Sequence, residues 1–275
     1  MPENNDKSHS QTLQRKLDQA NEKVRILENM IEERTRELYY KNANIHSQNM
    51  EMMQYLYIAS HDLQEPLRTI SSLVDALKYE LREVTLSDDA NVYMGGITTL
   101  TERMGTIIKD LLDYSRLGRE KVLQKVDCQH IVQSVLEDLH TTIEAANAEV
   151  NIGILPVLTA YPTELKLLFQ NLIGNAIKYR KTDVAPVIHI AAERGPTCWE
   201  FAISDNGIGI EEKYQEKIFM IFQRLHTRNK YDGNGIGLAH CKKIAELHEG
   251  KIWVESTIGV GSKFHFNIPD KINNT

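Results

Sequence analysis

No apolar run in the 275 residues approaches the roughly 20 that a helix needs to cross a bilayer. The polar opening, residues 1–10, lacks the apolar centre of a signal peptide. A membrane-borne sensor is therefore expected on another chain or on a removed segment, and the chain itself carries no membrane segment. Cysteine is scarce: Cys128, Cys198 and Cys241 are odd in number, widely spaced and form no C-x-x-C pair. That excludes a disulfide framework and a zinc knuckle and fits a cytoplasmic location. Long basic blocks are missing, and a formal net charge of -6 argues against electrostatic binding to nucleic acid. There is no G-x-x-x-x-G-K-[ST] segment for a P-loop and no internal repeat. The chain is 41% hydrophobic, enough for a globular core of one or two domains once an elongated helical part is set aside.

That elongated part announces itself by spacing. Leu13, Leu17, Ala20, Val24, Leu27, Ile31, Leu38, Ile45 and Met52 recur at steps of four and three, interrupted by Arg34 and Lys41. A heptad seam of this kind predicts a left-handed coiled coil over residues 1–55, most simply a parallel dimer. After Met52 the phase shifts by a four-residue step to Leu56, Leu63, Leu67, Ile70, Val74, Leu77 and Leu81. His61 lies off the seam in both registers and should face water. Pro66 cannot donate to the carbonyl of Asp62, so a bend is expected just after the histidine.

Ser87 reads as an N-cap, with Asp88 and Asp89 in the first turn of a second helix. Its seam runs Tyr93, Ile97, Leu100, Met104, Ile107, Leu111, Tyr114. Two antiparallel helices with one stripe each cannot bury those stripes alone, so two copies are expected to form a four-helix bundle from residues 56–117. The charged segment 118–126 reads as a linker. Beyond it the pattern mixes helices at 131–146, 165–180 and 236–248, the last closed by Gly250, with strands at 187–192, 199–204, 251–255 and 263–268. This predicts an α+β sandwich over 127–270 with one sheet face covered, and a tail at 271–275.

Four constellations carry chemistry. His61 stands beside Asp62, which can bond one ring nitrogen and leave the other as a nucleophile. Asn171, Asn175 and Lys178 are spaced by four and three, so two carboxamides and an ammonium share a helical face suited to a metal-bound triphosphate. By itself the run is equally an amphipathic helix with solvated polar residues. Asp205 ends a strand and is followed by Gly207 and Gly209, which reads either as an acceptor for an exocyclic amine or as a simple D-N-G turn. Gly233, Gly235 and Gly237 open a helix, where unblocked backbone N–H groups favour an anion. Arg224 and Arg228 are further candidates for phosphate contact.

In this order the four segments resemble the phospho-acceptor, N, and two glycine boxes of the two-component sensor histidine kinases. The wording of residues 60–68, 222–226 and 241–244 resembles the phytochrome-like branch. The resemblance covers nearly the whole chain and implies a helical-hairpin dimerisation bundle with an N-terminal coiled coil, followed by an α/β sandwich of the histidine kinase ATPase (GHKL or Bergerat) type. It implies His61 as phospho-acceptor and Asp62 as its orienting base. ATP would be held at Asn171, Asn175, Lys178, Tyr179, Asp205, Gly207, Gly209, Gly233, Gly235 and Gly237, with Mg²⁺ on Asn175, Tyr179 by the nucleoside and Asp205 on adenine. The expected partners are a second copy in a homodimer, a response regulator receiver domain and an upstream sensor domain. Two departures stand out: Glu65 replaces the Thr or Asn that many relatives use for phosphatase chemistry, and Glu249 stands where glycine is common. The rival reading is a dimeric nucleotide-binding scaffold without kinase activity. A chaperone-like or topoisomerase-like ATPase would need a water-activating Glu near Asn171, and none is there.

Overall fold

The computed structural model describes residues 3–84, 86–118, 122–225, 231 and 233–269. Side chains at most positions up to 20, and at 46, 49, 50, 53 and 56, lie outside the description, which removes Leu13, Leu17, Ala20 and Leu56 from the seam that can be followed. Arg228 and the tail 271–275 also lie outside the described residues. The chain divides into two compact units, Met1–Ile58 and Ala59–Thr275.

Helix α1, Glu3–Glu80, supplies all of the first unit and the start of the second. In the first unit Val24, Leu27, Ile31, Leu38, Ile45 and Met52 are exposed in the single chain. Arg34 and Lys41, which interrupt this apolar series, both clasp Glu37, at 2.7 and 2.6 Å. Their opposite charges hold the Glu37 carboxyl below its ordinary value.

In the second unit α1 turns back into α2, Asp88–Arg116. Ser87 caps it as expected, its Oγ accepting from the backbone N–H of Ala90 at 3.2 Å. Helix α1 is unbroken through Pro66. The contact between the two helices uses only Leu67 and Val74 of the seam read on α1, and on α2 a face one position on from the seam read there. Ser60, Leu67 and Val74 on α1 are buried, as are Thr101, Ile108, Leu112 and Ser115 on α2. Leu63, Ile70 and Leu77, with Tyr93, Ile97, Leu100 and Met104, stay exposed. The inner face uses small side chains such as Gly105, where a Cβ would lie 3.7 Å from Leu67, so the larger apolar residues form a second stripe.

The α/β part follows as β1 Gln124–Asp127, α3 Cys128–Asp138, α4 His140–Ala146, β2 Glu149–Ile152, β3 Val157–Ala160 and α5 Pro162–Lys178. Then come β4 Val187–Arg194, β5 Cys198–Asp205, two short 3-10 turns, α6 Gly237–Leu247, β6 Ile252–Thr257 and β7 Gly261–Pro269. The main sheet has the order β2-β4-β5-β7-β6, parallel only between β2 and β4, while β1 and β3 form a separate antiparallel pair. Strand β1 thus lies within the stretch read as linker. The helix expected over 131–146 is two helices parted at Leu139, and β2 and β3 were missed altogether.

The apolar faces of α3, α5 and α6 pack on one side of the sheet, around Phe169, Phe201 and Phe266. Phe201 and Phe266 stack at 4.7 Å and 3°, with Phe169 edge-on to both. Helix α6 ends at Leu247, and the left-handed residue after it is Glu249, φ 62°, not Gly250. Gly250 is required for another reason: a Cβ there would collide with the carbonyl of Asn267.

Phe201→Ala should destabilise the α/β part by about 3–5 kcal/mol. Urea unfolding followed by fluorescence of Trp199 and Trp253, both in this sheet, checks it; a loss below 1 kcal/mol would contradict the packing described.

Candidate functional site

The phospho-acceptor candidate is placed by its neighbour. Ser60 is buried, and one residue on, about 100° around the helix, His61 is exposed. Its side chain is 68% exposed and that of Asp62 71%, with His61 Nδ1 and Asp62 Oδ1 3.3 Å apart. If Nδ1 carries the proton, Asp62 accepts it and Nε2 keeps its lone pair toward solvent. His61 heads an open groove shared with Gln64, Glu65, Arg68, Thr69 and Ser72.

A separate cleft lies between α5 and the loops after β5 and before α6. Asn175, Tyr179, Asp205 and Gly209 line it, together with Ile208, Ile210, Ile218, Leu225 and Phe264. Apolar walls with a few fixed polar groups suit a flat heterocycle. Asp205 is the best-held of those polar groups. Its Oδ1 accepts from the backbone N–H of Gly207 at 2.8 Å and of Ser262 at 3.3 Å, so Oδ2 is the oxygen a ligand can use. Burial pushes this carboxyl above its ordinary value, against the lowering pull of the two backbone bonds and of Lys181.

The glycines are needed for close approach. A Cβ on Gly207 would sit 2.6 Å from the carbonyl of Tyr179, and that carbonyl accepts from Ile208 N–H at 3.0 Å. Gly209, φ 74°, faces the carbonyl of Thr257 with no room for a side chain. Asn206 does structural work, accepting from Val187 N–H and donating to Ala185 C=O, each at 3.0 Å.

At the other end, the loop before α6 folds onto the α5 side chains. A Cβ on Gly233 would lie 2.6 Å from Lys178 Nζ, and one on Gly237 2.6 Å from Asn171 Oδ1. Gly235, φ 74°, abuts Gln223 and Arg224, and its carbonyl accepts from Phe222 N–H at 3.0 Å. Asn171 Nδ2 donates to its own helix at Leu167 C=O, 3.0 Å. Thus Asn171, Lys178, Gly233, Gly235 and Gly237 gather beside the cleft, while Asn175, Tyr179, Asp205 and Gly209 line it.

Arg224 adds an observation the sequence offered only as a candidate. Nη2 donates to the carbonyl of Tyr231 at 2.8 Å, whereas Nη1 is buried without a hydrogen-bond partner among the described residues. An orphaned guanidinium N–H in a cleft fits an anionic ligand group. Ser262 had no sequence signal at all; only the pairing of β5 with β7, which sets Asp205 opposite Ser262, brings it in. Among the described residues no group of three or more His, Cys, Asp or Glu could hold a metal ion. The donors present therefore fit a hard cation bound largely through phosphate oxygens and one amide oxygen, such as that of Asn175.

Comparison with known proteins agrees with this division. Residues 51–120 match the model of the His Kinase A (phospho-acceptor) domain. Residues 160–272 match the model described as histidine kinase-, DNA gyrase B-, and HSP90-like ATPase. The chain is 42% identical to the phytochrome-like protein Cph1 of Synechocystis over 88% of its length, and 43% identical to cyanobacterial phytochrome A of Nostoc over 80%. It spans only 32% and 29% of those relatives. Full-length ShkA, solved in complex with AMPPNP, shares the fold with a TM-score of 0.61 at 23% identity, over 78% of this chain and 45% of that one.

Asp205→Asn should raise thermal stability at pH 7, because Oδ1 of the amide still accepts both backbone bonds and the buried charge is gone. The carboxyl pKa is raised on folding, so wild type loses stability as pH rises from the unfolded value through the folded one. The gap between the two proteins should therefore close as pH is lowered toward the ordinary carboxylate range. Melting curves across that range test it, and a variant less stable at pH 7 than at pH 4, relative to wild type, would reverse the sign.

Proposed function

The chain belongs to the two-component sensor histidine kinases, and from that premise we propose that it transfers the γ-phosphoryl group of ATP to His61 and from there to an aspartate of a response regulator receiver domain. The observation that carries this reading is an imidazole 68% exposed beside a carboxylate, in one compact unit with a cleft whose half-buried Asp205, and Arg224 N–H without a partner among the described residues, suit a nucleotide.

Asp205 Oδ2 accepts from the adenine amino group, the apolar walls hold the ring, and Tyr179 flanks the nucleoside. Lys178, Arg224 and the backbone of residues 233–237 receive the phosphates. Asn175 offers the amide oxygen for Mg²⁺, which when bound neutralises phosphate charge. At His61, Nε2 attacks the γ-phosphorus in line, an N–P bond forms, the bond to the bridging oxygen breaks and ADP leaves. Asp62 holds the Nδ1 proton and offsets the positive charge that develops on the ring. A receiver aspartate then takes the phosphoryl group, and the groove of His61, Gln64, Glu65 and Arg68 is where it reaches the acceptor.

The exposed stripes of Leu63, Ile70 and Leu77 and of Tyr93, Ile97, Leu100 and Met104 support a homodimer through a four-helix bundle. The exposed apolar positions from Val24 to Met52 support a coiled coil in the same dimer. We assign residues 1–55 to that coil, 56–117 to the phospho-acceptor bundle and 127–270 to the ATP domain, with β1 joining the linker to it. A cytoplasmic location is consistent with buried, unbridged Cys128 and Cys241, whose thiols burial pushes up, that of Cys128 to about 12.

Incubation with γ-labelled ATP and Mg²⁺ should give acid-labile, base-stable label on wild type and none on His61→Gln. Asn175→Ala should cut labelling at least tenfold at fixed ATP. Nucleotide binding without any label would leave only the scaffold reading standing. Because Glu65 cannot orient a water as Thr or Asn does, adding the protein should not speed loss of phosphate from a labelled receiver domain; rapid Mg²⁺-dependent loss would show otherwise.

A further inference from the structure

The loop that opens α6 is tied to the hairpin by a side-chain bond. Asn234, between Gly233 and Gly235, donates from Nδ2 to Asp110 Oδ2 on α2 at 2.9 Å. One turn further along α2, Lys243 of α6 donates from Nζ to the carbonyl of Tyr114 at 2.7 Å and lies 4.4 Å over its ring. The buried His240 packs on the same ring at 5.7 Å. The place of this contact on the hairpin is telling. Lys78 bonds Thr98, and Leu67 lies against Gly105, which fixes the antiparallel alignment of α1 and α2. Continuing it less than two turns brings His61 level with the segment of α2 that holds Leu112 and Tyr114. The ATP domain is therefore docked at the height of the acceptor, yet His61 remains 68% exposed with Asp62 as its recorded partner.

Two features make this a standby arrangement. The loop of residues 233–237 is the one assigned above to the phosphates, and it is held by a carboxylate. An anionic tail arriving at that loop meets the Asp110 charge within a few ångströms of Asn234, and like charges at that range repel even when partly screened. The bond and the nucleotide therefore compete, and competition between two sites is reciprocal: whatever nucleotide does to the latch, the latch does to nucleotide affinity.

We infer that the Asp110–Asn234 hydrogen bond is a latch that holds the ATP domain on α2 and is released when phosphates occupy the loop of residues 233–237. This rests on the nucleotide reading of that loop. Asp110 acts through Asn234 and is a positioning residue, touching neither ATP nor His61. Lys243 and Tyr114 form the outer part of the contact, whose one side-chain charge is positive and is not repelled by an arriving phosphate, so it survives partial release.

The test uses the whole chain, with Mg²⁺ and ADP as the probe. Asp110→Ala should bind ADP three- to tenfold more tightly than wild type; equal or weaker binding overturns the latch. In wild type, saturating ADP should raise amide hydrogen exchange in the last two turns of α2. In Asp110→Ala that exchange should already be raised without nucleotide and change little on adding it. Slower exchange in wild type with ADP would mean that nucleotide favours docking and would overturn the proposal. Asp110→Asn, which keeps an acceptor and removes the charge, serves should the alanine variant fold poorly: it should keep wild-type exchange without nucleotide yet bind ADP more tightly. If wild type binds no ADP, the nucleotide reading falls by itself, and exchange in the two nucleotide-free variants still decides whether Asp110 holds the domain.

Discussion

The ATP domain depends on bringing backbone against backbone around one half-buried carboxylate. Asp205 ends β5 opposite Ser262 of β7, and both Ser262 N–H and Gly207 N–H converge on its Oδ1. That convergence requires residues without side chains at 207, 209 and 261, since a Cβ at any of them would run into a carbonyl. The sheet edge, the α5 terminus at Tyr179 and the turn after β6 are thereby fixed to one another through hydrogen bonds of Ile208 and Gly259. A carboxylate held this way is disfavoured by burial until something supplies a donor to its second oxygen. The fold leaves that oxygen for a ligand, which turns a local electrostatic cost into specificity.

The hairpin solves a different problem, since it must satisfy two neighbours. Its inner face sets Leu67, Val74, Ile108 and Leu112 among the small or hydroxylated Ser60, Thr101, Gly105 and Ser115, which let α1 and α2 approach closely. The larger side chains from Leu63 to Leu77 and from Tyr93 to Met104 are turned away from that contact. Burying such a stripe is favourable by roughly 25 cal/mol per Å² of apolar area, so a second copy has a strong reason to cover it. His61 escapes both faces because it follows the buried Ser60 by one residue, and this register keeps its imidazole exposed to water.

Periodicity announced the helices, the exposed histidine and the Ser87 cap, because each depends on local spacing. It placed Leu67 and Val74 correctly but misread the inner face of α2, since Thr101, Gly105 and Ser115 carry little apolar signal and only the packing of α1 on α2 identifies them. The glycine boxes were legible as loops with little room for side chains, but what they approach was not: the carbonyls of Tyr179 and Thr257 are far away in sequence. Strands β1, β2 and β3 escaped notice because four residues each are too few for an alternating pattern to stand out. Ser262, and an Arg224 Nη1 without a partner among the described residues, belong to tertiary geometry alone. Glu249 shows the converse, a non-glycine residue in a left-handed cap that a local rule would have assigned to Gly250.

The two kinds of contact in the second unit differ in character, and the difference follows from what each must do. Around Phe169, Phe201 and Phe266 the ATP domain is closed by apolar packing that is lost only on unfolding. Where it meets α2, the recorded bonds are Asn234 with Asp110 and Lys243 with a main-chain carbonyl, set around the rings of Tyr114 and His240. Polar bonds of this sort can be exchanged for water at little net free energy, whereas separating an apolar interface exposes its whole area at once. A nucleotide domain that has to reach an acceptor on a neighbouring helix cannot be cemented to that helix. Polar, few and charge-bearing contacts are the kind that an incoming triphosphate can displace.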